Sequence, residues 1–314
     1  MQEGIVIKST GSWYHVKNDL GKIYNCRIVG KIRLEGLKLT NPIAVGDRVR
    51  FEEENDSEGN IKEILPRKNY VLRQSPRKKH FLHLMASNVD QAILVVTIKE
   101  PNLKQGFIDR FLIMTEPYDI PVYIIFNKSD LYDEYDLELY HMLRSVYEAI
   151  PHEVMLFSSI NGDGVDELKY ILKGKQSLVS GQSGVGKSTL INTLQPNLEL
   201  RTTDLSDYSG KGQHTTTFAE MYDLDFGGCI IDTPGIKTLT FNHLKIADVA
   251  HNFKEIFRES QYCKFDNCTH RNEPHCAVKK AIEGGKISEL RYFNYLQIID
   301  EIESQNYWEI NKDY

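Results

Sequence analysis

Short strand-like runs open the chain. Gly4–Lys8, Tyr14–Val16, Lys22–Val29 and Asp47–Glu52 are separated by Gly, Asn and Asp turns, which predicts an all-β region over residues 1–72. About five short strands close best as a small barrel, so an OB-type or SH3-type barrel is expected. Arg67–His80 is basic, follows Pro66, contains Pro76 and has no clear period; it reads as a linker, bounded as residues 73–87. From residue 88 the pattern changes. Gln91–Ile98, Pro121–Phe126, Val154–Phe157, Gln176–Val179 and Cys229–Ile231 are nearly continuous apolar runs, as in strands buried on both faces. Helical patterns fall between them at Gly106–Met114, Glu134–Ala149 and Lys187–Leu194, which predicts a parallel α/β sheet over residues 88–246. Residues 247–314 read as mostly helical. There Ile287, Leu290, Phe293, Leu296, Ile299 and Ile302 form an apolar stripe expected to pack on a neighbouring domain.

Composition narrows the class. The 314 residues are 41% hydrophobic and 26% charged, which is ordinary globular material. The apolar runs are strand-sized, so no membrane span is expected, and the N-terminus does not read as a signal peptide. Five cysteines argue for reduced thiols or metal rather than a disulfide framework. The net charge of −6 is uneven: residues 1–80 carry +6 and the remainder −12. A basic N-terminal portion on an acidic body allows a local contact with nucleic acid.

The chemistry lies in four segments. Gly181-Gln182-Ser183-Gly184-Val185-Gly186-Lys187-Ser188-Thr189 follows an apolar strand and opens a helix. Its glycines let backbone N–H groups turn around phosphate oxygens, Lys187 supplies charge to the β- and γ-phosphates, and Ser188 offers a hydroxyl to Mg²⁺. Asp232-Thr-Pro-Gly235 ends a strand about 45 residues later, placing a carboxylate near Mg²⁺ and the Gly235 N–H near the γ-phosphate. Asn127-Lys128-Ser129-Asp130 ends another strand. A carboxylate at Asp130 can accept from the N1–H and 2-amino group of guanine, which adenine does not offer; this argues against an ATPase or kinase. Ser158-Ser159 fits the companion base-contacting loop. The base-reading segments precede the phosphate loop, whereas in ordinary small GTPases they follow it, so the order describes a circularly permuted GTPase domain.

Arg201–Thr217 is a long polar loop. Thr216 is the chosen Mg²⁺ ligand in it, with Thr215 an alternative. Ile236, after Gly235, cannot orient water; His214 can, because imidazole both donates and accepts near neutral pH. Finally, Cys263, Cys268, His270 and Cys276 have the spacing C-x₄-C-x-H-x₅-C. Three thiolates and one imidazole make a closed structural Zn²⁺ set, with His275 as an alternative ligand. Lys264, Arg271, Lys279 and Lys280 surround it and are available to phosphates.

Together, the barrel, N-K-S-D before G-Q-S-G-V-G-K-S, the G-x-H-T-T-T segment, D-T-P-G-I and the Cys₃His knuckle resemble the RsgA-type GTPases. The resemblance implies a multidomain α/β protein: an N-terminal OB-fold barrel, a central circularly permuted P-loop GTPase domain and a C-terminal helical zinc-binding domain. It implies a bacterial factor for late maturation of the small ribosomal subunit, with GTP hydrolysis stimulated by the 30S subunit and 16S rRNA contacts from the outer domains. It further implies His214 as the catalytic residue, with Ile236 where a Gln would stand. A cytoplasmic monomer using GTP/GDP, Mg²⁺ and one Zn²⁺ is the corresponding expectation. An RNA-binding scaffold with a mainly structural nucleotide is the alternative.

Overall fold

A computed structural model describes residues 1–30, 38–75, 81–200, 218–236, 239–241 and 243–310. The first five strands are β1 (Gln2–Ser9), β2 (Tyr14–Asn18), β3 (Ile23–Ile28), β4 (Arg48–Glu53) and β5 (Glu58–Ile64). They pair in the order β1-β2-β3-β5-β4 and close through β4 on β1, giving a five-stranded barrel. Alternate residues Val6, Tyr14, Val16, Tyr24, Cys26, Val49, Phe51 and Ile61 point inward and fill it.

The segment expected to be a linker is instead structured. Strands β6 (Tyr70–Gln74) and β7 (Leu82–Ser87) form an antiparallel pair, with Val71, Leu84 and Ala86 buried. The Asn41 amide holds β7 to the barrel side by bonding the N–H and C=O of Leu84, both at 3.1 Å. The interruption at Ser75–His80 hid the alternation on either side. Residues 76–80 lie outside the described residues.

The main sheet continues with β8 (Gln91–Val96), β9 (Val122–Phe126), β10 (Glu153–Leu156), β11 (Gln176–Gly181), β12 (Glu220–Asp223) and β13 (Cys229–Asp232). Strands β10, β9, β8, β11 and β13 are mutually parallel in that spatial order; β12 is antiparallel at their edge. Helices α1 (Phe107–Thr115), α2 (Glu134–Glu148), α3 (Val165–Leu172) and α4 (Lys187–Leu194) cover the two faces. The fully buried run of β8 and the nearly fully buried runs of β9 and β11 match the parallel-sheet expectation. One link was not expected: β12 also pairs with β1 of the barrel at Lys8↔Glu220, reinforced by a 2.7 Å ion pair and by a second between Lys17 and Asp223. Barrel and parallel sheet therefore share one hydrogen-bonded surface.

The C-terminal part contains α5 (Ile246–Asn252), α6 (Lys254–Ser260), α7 (Ala277–Glu283) and α8 (Glu289–Ile310). In α8, Ile287 just before it, Tyr295, Ile298, Ile299 and Ile302 are buried, while Phe293 of the expected stripe is exposed. The buried face runs through Arg291 and Asn294 because α1 offers Asp109 there. Arg291 bonds Asp109 at 2.6 Å and Glu255 of α6 at 2.7 and 2.9 Å. A buried guanidinium is retained at the domain junction because it is paired on both sides. No described helix is long and apolar enough to cross a membrane.

Candidate nucleotide site and metal centre

The phosphate loop connects β11 to α4. Gly184 and Gly186 have φ of 85° and 86°, a backbone region that disfavours side chains. At Gly186 the space is also closed, since a Cβ would fall 2.6 Å from Asn127 Nδ2. Lys187 is buried, and its ammonium donates to the carbonyls of Gly181 and Gln182 at 3.4 and 3.2 Å. Burial lowers its pKa, against the raising effect of the Asp232 charge. Lys187 is also the first residue of α4, whose N-terminus favours anions.

Parallel pairing of β11 with β13 brings the Asp232 loop alongside. The Thr233 hydroxyl donates to Val179 O at 3.0 Å, and Ile236 N–H donates to Gly181 O at 2.9 Å. A Cβ at Gly235 would lie 3.4 Å from Lys187 Nζ. Ile236 itself is fully buried in the apolar core, so it presents nothing to a water molecule.

The Asn127–Asp130 segment, expected to read the base, leaves β9, two strands away, and touches the phosphate loop. Asn127 Nδ2 donates to Val185 O at 2.8 Å. Lys128 has φ 62° and its ammonium donates to Glu100 O; burial lowers its pKa despite the Glu100 and Asp130 charges. The Ser158 hydroxyl donates to Asp130 Oδ1 at 2.6 Å while accepting from the N–H groups of Ile160 and Asn161 at 3.2 and 3.1 Å. Ser158 thereby aims the carboxylate. Among the described residues, buried Asn127 Oδ1, Ser129 Oγ, Ser159 Oγ and Gln182 Oε1 have no hydrogen-bond partner, which suits a ligand-binding crevice. Ser183, Ser188 and Thr189 follow on the same loop and first helical turn.

Two supports carried no sequence signal. Tyr132 OH donates to Asn127 O at 2.8 Å and accepts from Ile98 N–H at 3.0 Å, tying the base loop to the end of β8. Glu100 contributes through its carbonyl, a group every residue has. His214 and Thr216, with the alternative Thr215, lie outside the described residues.

In the C-terminal part the four expected metal ligands converge. The ligand atoms of Cys263, Cys268, His270 and Cys276 all lie within 4.8 Å of one another. Cys263 Sγ and Cys276 Sγ are 3.9 Å apart and sit 3.6 and 3.5 Å from His270 Nδ1. A tetrahedral zinc with bonds of about 2.3 Å to sulfur requires ligand separations of about 3.7 Å, so the set fits Zn²⁺. His270, not the exposed His275, completes the cluster. Tyr292 OH and Tyr295 OH of α8 donate to the carbonyls of His270 and Thr269 at 2.6 and 3.1 Å, fastening the knuckle to the long helix. Arg271, expected to be available to phosphate, is instead engaged by both oxygens of Glu303.

A barrel joined to a parallel sheet, with the Asn127–Asp130 segment preceding the phosphate loop in sequence but meeting it in space, defines a circularly permuted GTPase. Comparison with known proteins then places it. Residues 64–242 match the RsgA GTPase family and residues 3–61 the RsgA N-terminal domain. The chain is 48% identical over 305 residues to the small ribosomal subunit biogenesis GTPase RsgA of Bacteroides fragilis, covering 97% of this chain and 98% of that protein. It is 47% identical over 300 residues to its Flavobacterium psychrophilum counterpart, covering 95% and 92%. It is also similar to the crystal structure of YjeQ from Thermotoga maritima (37% identity, TM-score 0.75, covering 96% of this chain and 98% of that one). The crystal structure of YloQ, a circularly permuted GTPase, is similar at 31% identity, TM-score 0.71 and coverage of 97% and 96%. The chain belongs to the RsgA GTPase family and is a GTP hydrolase.

Proposed function

We propose that this GTPase binds the small ribosomal subunit in the cytoplasm as a monomer, acts in its late maturation, and hydrolyses GTP faster when docked there. The observation that carries the nucleotide site is the Asn127–Val185 hydrogen bond, which joins the base loop to the phosphate loop. Asp130, aimed by Ser158, reads guanine, and the Lys128 stem lies along the base, with Asn127, Ser129 and Ser159 lining it. Gly181 to Thr189 cradle the phosphates, Lys187 neutralises them, and Asp232 and Gly235 face the Mg²⁺ and γ-phosphate side. Ser188 and Thr216 hold Mg²⁺, which supplies charge neutralisation on the phosphates. His214 orients the attacking water, since Ile236 is buried away from it. Zn²⁺ on Cys263, Cys268, His270 and Cys276 is structural.

The ribosomal reading rests on the names of the relatives and on charge. The basic N-terminal portion includes Arg27, whose guanidinium lies 5.1 Å from the Trp13 ring centroid on the barrel exterior, a pairing suited to stacking with bases. Such surfaces would contact 16S rRNA. The test is GTP turnover across a titration of purified small subunits, for the wild type and His214→Ala. Stimulation of the wild type and its loss in His214→Ala, with GTP affinity retained, is expected. No stimulation of the wild type would leave an RNA-binding scaffold with a structural nucleotide, and full stimulation of His214→Ala would reject the role of His214.

A further inference from the structure

Helix α2 begins four residues after Asp130, capped by Asp133, whose side chain accepts from Asp136 N–H. Its inner face is settled: Tyr140, Leu143 and Tyr147 are buried, and Tyr140 meets Phe126 of β9 edge-on at 5.3 Å. A second apolar row runs along its flank. Tyr135, Leu139 and Met142 recur at i, i+4 and i+7, so they share one face, and Leu131 ends the short 3₁₀ turn that precedes the helix. All four are exposed, Tyr135 by 83% and Met142 by 45%. Single exposed apolar residues are ordinary, but a row at helical spacing has the form used to seat a partner segment.

The surrounding charge selects the partner. Residues 133–148 carry Asp133, Glu134, Asp136, Glu138 and Glu148 against Arg144 alone. Arg144 is bound to Glu148 at 2.8 Å, and Lys99 pairs with Asp133 and Asp136, so among the described residues Glu134 and Glu138 have no ion pair beside the row. Such a surface repels phosphate backbones and attracts cationic side chains. It differs in kind from the Arg27–Trp13 face of the barrel.

We propose that the Tyr135–Leu139–Met142 row docks a basic protein segment with apolar anchors, belonging to the small subunit's protein component rather than its RNA. This rests on the ribosomal reading above. The direct experiment replaces Tyr135 with a photo-crosslinking phenylalanine analogue in the full chain. The protein is irradiated on purified small subunits with a non-hydrolysable GTP analogue, and co-sedimentation is measured on the same sample. A crosslink to a lysine- or arginine-rich protein segment is expected. Co-sedimentation with crosslinks only to RNA, only to a second copy of this chain, or to nothing overturns the inference while sparing the ribosomal reading. Absence of co-sedimentation sinks both. In parallel, Tyr135→Ser/Met142→Ser should keep the basal GTPase rate and weaken subunit binding by about tenfold, with Tyr135→Phe close to wild type. Unchanged subunit affinity in the double variant would also overturn it.

Discussion

The Arg291 junction allows a magnitude to be worked from the structure. The Arg291 side chain is 3% exposed, and its partners Asp109 and Glu255 are 0% and 8% exposed. Burial alone would lower the guanidinium pKa, but the Asp109 and Glu255 charges outweigh it and raise it. In Arg291→Met the ring contact with Phe253 is largely replaced, so packing loss is small. What remains is two buried carboxylates without a cation, although Asn294 still donates to Asp109. Breaking a buried pair from one side costs about 3–5 kcal/mol, a large part of a total stability of about 5–15 kcal/mol. The triple variant Arg291→Met/Asp109→Asn/Glu255→Gln removes the charges together and should lose much less. Urea unfolding followed by circular dichroism gives the stabilities, and hydrogen exchange of α1 and α8 locates the loss. A single variant within about 1 kcal/mol of wild type, or a triple variant as weak as the single, would refute the claim that uncompensated charge sets the cost.

Further outcomes follow from the same geometry. Gly186→Ala forces a side chain into a positive-φ site and against Asn127, and should weaken GTP binding at least tenfold in a fluorescent-nucleotide titration; unaltered affinity would contradict the close approach. His83 is held neutral, its pKa pushed down to about 4 by burial and then by the Arg73 charge. A base with a depressed pKa stabilises the fold fully above its unfolded value of about 6.5, and this is lost as pH falls towards 4. Thermal midpoints of the wild type should therefore drop more steeply between those values than those of His83→Phe; parallel curves would count against it. Metal analysis should find about one zinc per chain, and Cys276→Ser should lose it together with knuckle stability. An intact, metal-free fold would remove the zinc assignment.

Local sequence carried the chemistry. The phosphate loop, Asp232-Thr-Pro-Gly235, Asn127–Asp130 and the Cys/His spacing are readable because each needs specific residue types within a few positions. Buried strands and long helices were readable because periodicity is local too. The pair β6–β7 was missed because seven residues interrupt its alternation. Tyr132 and the Glu100 carbonyl were missed because any hydroxyl or backbone group has the same sequence appearance whether or not it supports a site.

The one-dimensional order already determined that the Asn127–Asp130 segment comes before the phosphate loop. Only the folded sheet decided that they meet: β9 and β11 flank β8, so their C-terminal loops emerge on one edge and Asn127 reaches Val185. The same holds for Arg291, 182 positions from Asp109, and for the pairing of β1 with β12. Such contacts arise from burial and hydrogen-bond satisfaction across the whole chain, which no short window of residues encodes.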